Sequence, residues 1–282
     1  MSNNYISDGY KYQESFEKDY IPTFTYKAQN VQIKKMICME YGKNTVCILY
    51  NIKTKKKPIK LTLAPIMNNR DFHQVSSNHT FELKQTKNKQ KVTIVIDNDT
   101  EHPVYLTASE GEYIEHFGDT FNNMYYLEEE KRGFYPEENL VVPGRYEIEI
   151  GANEEREVSF VCSFENNIEE LDVKEVINNE ILRITKLLEE SKLYNLSATK
   201  KYKEMIKEYI TAADSFVVYR PSFKLHTIIA GYPWFLDWGR DSLIAFEGLL
   251  LVPGRYEMAQ EVILTLIRDI KYGLVPNRIF WI

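Results

Sequence analysis

The hydrophobic period of this chain changes once, near residue 165, and that change limits what it can fold into. Upstream, short runs alternate apolar and polar residues. Val46, Ile48, Tyr50 and Ile52 do so, as do Val92, Ile94 and Ile96, then Tyr146, Ile148 and Ile150, then Val158, Phe160, Cys162 and Phe164. A period of two puts every second side chain on one face of a strand. Turn-forming groups separate the runs: Tyr41-Gly42-Lys43-Asn44, Asp97-Asn98-Asp99-Thr100, Val142-Pro143-Gly144 and Gly151-Ala152-Asn153. Many short strands with tight turns predict an antiparallel β-sandwich.

Downstream the period becomes helical. Val173, Val176, Ile177, Ile181, Ile184, Leu187 and Leu188 fit one helix face. Tyr202, Met205, Ile206, Tyr209, Ile210 and Ala213 form a second stripe. Ser242 to Leu251 predicts a third helix, apolar enough all round to be buried on several sides. Ala259, Val262, Ile263, Leu266, Ile267 and Ile270 define a fourth, stopped by Gly273 and Pro276. The fold class expected is therefore multidomain, β then α, with a β domain over 1–165, a linker and first helix over 166–200, and a helical domain over 201–282. A hexapeptide, Val-Pro-Gly-Arg-Tyr-Glu, occurs at 142–147 and again at 252–257, but its flanks differ in period, so it is no architectural repeat.

Charge narrows the partners. Thirty-five basic against 41 acidic residues give −6, which argues against nucleic acid, since phosphate binding relies on clustered Lys and Arg. The lysines at 53, 55, 56, 57 and 60 are read as a solvated hairpin tip. No apolar run approaches the ~20 residues of a membrane span, so no membrane partner is expected. The N-terminal residues lack the pattern of a secretory signal, which places the expected location in the cytoplasm. Three cysteines without paired spacing, Cys38, Cys47 and Cys162, are read as inert thiols. The five histidines do not pair at metal spacing, so no metal or other cofactor is expected. The chain's 20 Tyr, 14 Phe and 3 Trp fit sugar binding and a β-rich core equally.

The segment Ala230-Gly231-Tyr232-Pro233-Trp234-Phe235-Leu236-Asp237-Trp238-Gly239-Arg240-Asp241-Ser242 gathers two of the three tryptophans, two acids and an arginine in a loop entering a helix. Two readings stand side by side. Asp237 or Asp241 caps the helix starting near Ser242. Alternatively the rings and the Arg–Asp pair form a sugar subsite, aromatic faces meeting a pyranose while charged groups fix its hydroxyls.

This segment, with Gly248-Leu249-Leu250-Leu251, Pro253-Gly254-Arg255-Tyr256 and Gly273-Leu274-Val275-Pro276-Asn277-Arg278, resembles the glycogen debranching enzymes of the amylo-α-1,6-glucosidase type. Asn68-Asn69-Arg70-Asp71-Phe72-His73 resembles part of the N-terminal β domain of the bacterial and archaeal members. The resemblance implies a β-supersandwich followed by the first helices of an incomplete (α/α)6 toroid. It implies that Trp238, Arg240 and Asp241 bind the non-reducing glucose of glycogen or a branched α-glucan, with Trp234 and Phe235 lining the pocket. It implies no cofactor. The family's acid and base lie downstream of the Pro-Asn-Arg segment, so they are expected beyond Ile282, and the chain reads as an inactive fragment whose remaining half could be encoded separately. The rival readings are a glucoamylase-like α-1,4 exo-hydrolase and a non-catalytic glucan-binding fragment.

Overall fold

The computed structural model describes residues 8–71, 74–76, 81–116, 120–196, 199–232 and 235–277. It divides into two compact units, Met1–Ile181 and Leu182–Ile282.

The first unit is built on one eight-stranded antiparallel sheet. In spatial order its strands are β1 (Gln13–Lys18), β2 (Pro22–Lys27), β3 (Val31–Met39), β4 (Thr45–Thr54), β13 (Glu155–Ser163), β8 (Val104–Ala108), β7 (Lys91–Ile96) and β6 (Leu83–Asn88). A three-stranded sheet joins β5 (Ile59–Leu63), β12 (Gly144–Ile150) and β9 (Glu112–Glu115). A hairpin pairs β10 (Thr120–Tyr125) with β11 (Glu137–Val141) across the short helix α1 (Leu127–Lys131).

The period-two runs explain the layering. Ile52, Val92, Ile94, Leu106, Val158 and Phe160 of the large sheet share one apolar cluster with Leu63, Tyr113, Tyr146, Ile148 and Ile150 of the small one. Tyr146 is fully buried yet satisfied, since its hydroxyl donates to the Gln90 carbonyl at 2.9 Å. On the opposite face, Cys38, Cys47, Leu49 and Val161 pack with Val173, Val176 and Ile177 at the start of α2 (Val173–Glu190). Strands β4 and β13 are therefore covered on both faces, where simple alternation predicts burial on one. Asp172 starts α2 by accepting from Lys174 N at 2.9 Å.

The second unit holds α3 (Lys192–Leu196), α4 (Lys200–Phe216), α5 (Gly239–Phe246) and α6 (Tyr256–Arg268). Thr199 caps α4 by accepting from Tyr202 N at 3.3 Å. Between α4 and α5 lies a three-stranded antiparallel sheet that the helical period did not reveal: β14 (Val217–Arg220), β15 (Leu225–Gly231) and β16 (Phe235–Asp237). Val217, Ile228, Leu250, Ala259, Val262 and Leu266 form its core.

Two helix expectations need correction. The third helix starts at Gly239 and ends at Phe246, and Glu247–Leu251 continues as a π-helical turn. It is not buried on several sides, because Ile244 is 77% exposed. The stripe on α4 is mostly outward too: Tyr202, Met205 and Tyr209 are exposed, and Ile210 is the residue of that stripe that is buried. Helix α6 carries one buried seam, Ala259, Val262 and Leu266, while Leu264 and Ile267 face solvent.

Candidate functional site

The motif-bearing segment is a strand running into a helix. Ile229 pairs with Asp237 and Gly231 with Phe235, so residues 235–237 belong to β16 and not to a loop. Trp238 then leaves the strand and Gly239 opens α5.

Asp237 does not cap that helix. It is buried, and its Oδ2 accepts from Arg220 Nη2 at 2.6 Å while Oδ1 accepts from the Thr227 hydroxyl. A carboxylate removed from water needs such partners. Asp241 sits inside the first turn of α5, half-buried, where its charge meets the positive helix end. The cap comes from afar: Asn277 Oδ1 accepts from Arg240 N at 3.1 Å, and the Asn277 carbonyl accepts from Gly239 N at 2.8 Å. Ser242, also buried, donates to the Ile228 carbonyl at 3.1 Å and fixes α5 against β15.

Gly239 is required by close approach. A Cβ there would collide with the Pro276 carbonyl oxygen. The Trp-Gly-Arg-Asp and Val-Pro-Asn segments, far apart in sequence, are thus locked together through backbone.

Against this junction lies an open depression of about 560 Å³, lined by Gly239, Arg240, Leu243, Ile244, Val275 and Asn277. Its size is within the range of ligand clefts. Its walls are mainly apolar, and Arg240 brings an exposed guanidinium to its rim. A cationic fork over apolar surface can donate several hydrogen bonds to hydroxyls of a neutral ligand.

Of the expected site residues, Arg240 lines the depression. Trp238, half-buried, and Asp241 flank it in sequence but are not in the lining. Phe235 is exposed on β16, and Trp234 lies outside the described residues. Sequence reasoning named the Pro-Asn-Arg segment as a motif but missed Asn277 as a site residue, as well as Val275, Leu243 and Ile244.

Buried Asp214 and half-buried Glu261 of this unit are engaged as well. Asp214 accepts from Arg183 Nη1 at 2.6 Å and also from Arg255. Glu261 accepts from His226 Nδ1 at 2.6 Å and from His226 N at 2.9 Å. Burial pushes the Glu261 carboxyl up, but those bonds outweigh it and hold it below the usual range. Among the described residues, no three His, Cys, Asp or Glu side chains converge as metal ligands, and no helix is long and apolar enough to cross a membrane.

A β unit built on antiparallel sheets is thus followed by a mainly helical unit. A bacterial glucoamylase, solved in complex with acarbose, shares this fold with a TM-score of 0.56 at 14% identity, over 98% of this chain and 44% of that one. Residues 1–157 match the family described as "Glycogen debranching enzyme N terminal", and residues 211–280 match "Amylo-alpha-1,6-glucosidase". The glycogen debranching enzyme of Saccharomyces cerevisiae is 37% identical over 62 residues, which is 20% of this chain and 4% of that protein. The chain belongs to the glycogen debranching enzyme family. It spans less than half of the glucoamylase and a small part of the yeast protein.

Proposed function

We propose that this chain supplies the glucose-gripping part of a glycogen-debranching α-1,6-glucosidase. The observation that carries the reading is the junction of Gly239, Arg240 and Asn277 beside an apolar depression, formed by the two segments that bear the family motifs. In this reading Arg240 and Asp241 bind the distal hydroxyls of a terminal glucose, and Trp238 walls the site, with Phe235 and Trp234 further out. Supporting it, the Arg240 guanidinium is exposed at the depression and Asp241 stands in the adjoining helical turn.

The catalytic acid and base belong to helices outside these residues. Branch hydrolysis by inversion needs one carboxylic acid and one carboxylate about 6.5–9.5 Å apart around the scissile bond. Asp214, Asp237 and Glu261 are committed to ion pairs with Arg183, Arg255, Arg220 and His226, which suits structure and not proton transfer. The outward apolar residues of α4 and α6 support a toroid completed by further helices, on this polypeptide or on a separately encoded one. The two packed sheets of the first unit support the supersandwich reading. A cytoplasmic setting suits a glycogen-consuming enzyme. A glucoamylase-like α-1,4 exo-hydrolase and a non-catalytic glucan-binding fragment are the rival readings, since either would grip the same terminal glucose.

Saturation-transfer NMR with panose and with maltotriose, alongside a glucose-release assay, tests this. The chain should bind panose, lose that binding in Arg240→Ala, and release no glucose. Absent or Arg240-independent binding would remove the subsite. Glucose release by the chain itself would return the acid and base to the residues described. Tighter binding of maltotriose than panose would favour the exo-hydrolase.

A further inference from the structure

The hairpin of β10 and β11 ends in an unusual surface. Tyr125 is 48% exposed, Phe134 59% and Tyr135 53%. Three large rings left in water on one short segment mark a contact surface more often than chance exposure.

The segment is held rigidly. Tyr126 N donates to the Pro136 carbonyl at 2.8 Å, and Phe134 N donates to the Glu129 carbonyl at 2.9 Å. Gly133, at φ +80°, makes the reversal that an L side chain resists, and its N–H donates to the Glu130 carbonyl at 2.9 Å. Arg132 pairs with Glu129 at 2.9 Å and lies 5.2 Å from the Phe134 ring centre. Beneath, Glu138 anchors the hairpin through Arg70 and through the Tyr126 hydroxyl at 2.7 Å. A bulge between Phe121 and Met124, with Asn123 at φ +60°, re-aims the strand just before Tyr125.

Glu137 neighbours both tyrosines. Tyr125 is the cross-strand partner of Glu137, and the Tyr135 hydroxyl donates to Glu137 Oε2 at 3.4 Å. Glu130 close to Tyr125 raises the pKa of that phenol. With the Tyr135 hydroxyl directed at Glu137, the exposed surface of these residues is mainly ring. The surrounding charge is acidic: Glu128, Glu129, Glu130 and Glu137 against Lys131 and Arg132. That disfavours phosphate-bearing partners and suits a neutral polyol, whose C–H faces stack on rings and whose hydroxyls donate to carboxylates.

We infer that this hairpin end is a second α-glucan contact, in which Tyr125 and Tyr135 stack on pyranose faces and Glu137 accepts from sugar hydroxyls. The inference rests on the α-glucan reading above and adds to it a site in the first unit.

Affinity electrophoresis of the full chain in native gels cast with glycogen separates the two. The probes are wild type, Tyr125→Ser/Tyr135→Ser, Tyr125→Phe/Tyr135→Phe and Arg240→Ala, each checked by thermal melting. Losing partial burial of two rings should weaken glycogen retardation about tenfold in the Ser pair. The Phe pair keeps the rings and should stay near wild type. Retardation lost in Arg240→Ala but unchanged in the Ser pair would overturn this site and leave the depression standing. Retardation lost in the Ser pair but kept in Arg240→Ala would support this site and undo the depression's role. A wild-type chain that glycogen does not retard would overturn the inference, and the hairpin end would then be a surface for another polypeptide.

Discussion

Asn277 closes the N-terminus of α5 beneath Arg240, accepting from Arg240 N through its side chain at 3.1 Å and from Gly239 N through its backbone at 2.8 Å. The opening N–H groups of a helix have no partners of their own, and local side chains commonly satisfy them. Here the acceptor is 37 positions downstream, so one interaction both caps the helix and places Arg240 against the depression. Replacing Asn277 by Ala should cost about 1 kcal/mol in urea unfolding. Asn277→Asp keeps the acceptor and adds a charge the helix end favours, so it should lose less. Equal losses in both variants would show that the side chain is not the cap.

Gly239→Ala should be worse than its one added carbon implies. The new methyl would meet the Pro276 carbonyl oxygen, and that backbone is held by the hydrogen bond from Gly239 N itself. Overpacking of this kind costs about 1–3 kcal/mol. Panose binding should fall with it, because the strain moves the wall that carries Asn277. Gly248→Ala, where a Cβ meets nothing, is the control and should be near neutral. A Gly239→Ala variant as stable as that control would refute the close approach.

How much of this was legible in advance depends on how local the signal was. Period-two runs such as Tyr146-Ile148-Ile150 named the strands because alternation is a property of single segments. The three strands at 217–237 were hidden, since Val217–Arg220 and Phe235–Asp237 are too short to show a period and inherit their pairing from β15. The repeated Val-Pro-Gly-Arg-Tyr-Glu makes the point sharply. Its first copy enters β12 and its second enters α6, with Gly254 at φ +89° in the second. Identical residues take opposite structures because β5 and β9 flank one copy and the Leu250 core receives the other. Of the residues that line the depression, Arg240 lies in a segment whose composition already stood out in the sequence. Asn277 as a cap was not legible, because a contact across 37 positions leaves no local pattern.

Arg220 and Asp237 form a buried pair next to the motif, and their removal should act on folding. Arg220→Ala leaves the Asp237 carboxylate desolvated with Thr227 as its remaining side-chain donor among the bonds described. Breaking a buried pair on one side costs about 3–5 kcal/mol. Circular dichroism melts should show the second unit destabilised, with glucan binding lost only in proportion to unfolding. Binding lost at full stability would instead make Arg220 a ligand contact.

Cys38 and Cys47 face each other across β3 and β4, both buried. Burial, with a smaller contribution from Cys38, pushes the Cys47 thiol up to about 12. The thiolate is the reactive form, so Cys47 should resist a thiol reagent at pH 8 in the folded chain. Cys162 is raised by burial as well and should also label slowly. All three should react promptly in concentrated urea. Fast labelling of Cys47 without denaturant would mean that the β3–β4 face opens readily.

Glu138 makes the first unit sensitive to acid. Its side chain is buried, which alone would raise its carboxyl. Bonds from Arg70, from the Tyr126 hydroxyl at 2.7 Å and from Ser76 N at 3.2 Å outweigh that and hold it below the ordinary value. A folded value below the unfolded one, about 4.3, means the carboxylate's stabilisation is complete above that pH. It is lost as pH falls through the folded value, when protonation removes the charge facing Arg70. Glu138→Gln lacks the titrating group and leaves the Arg70 guanidinium without its counter-charge, so it should melt lower than wild type at pH 7. Wild type should lose stability faster below about pH 4.3, and the two melting curves should converge toward pH 3. Curves that stay parallel from pH 7 to pH 3 would show that the acid sensitivity arises elsewhere, and that Glu138 binds the hairpin by geometry and not by charge.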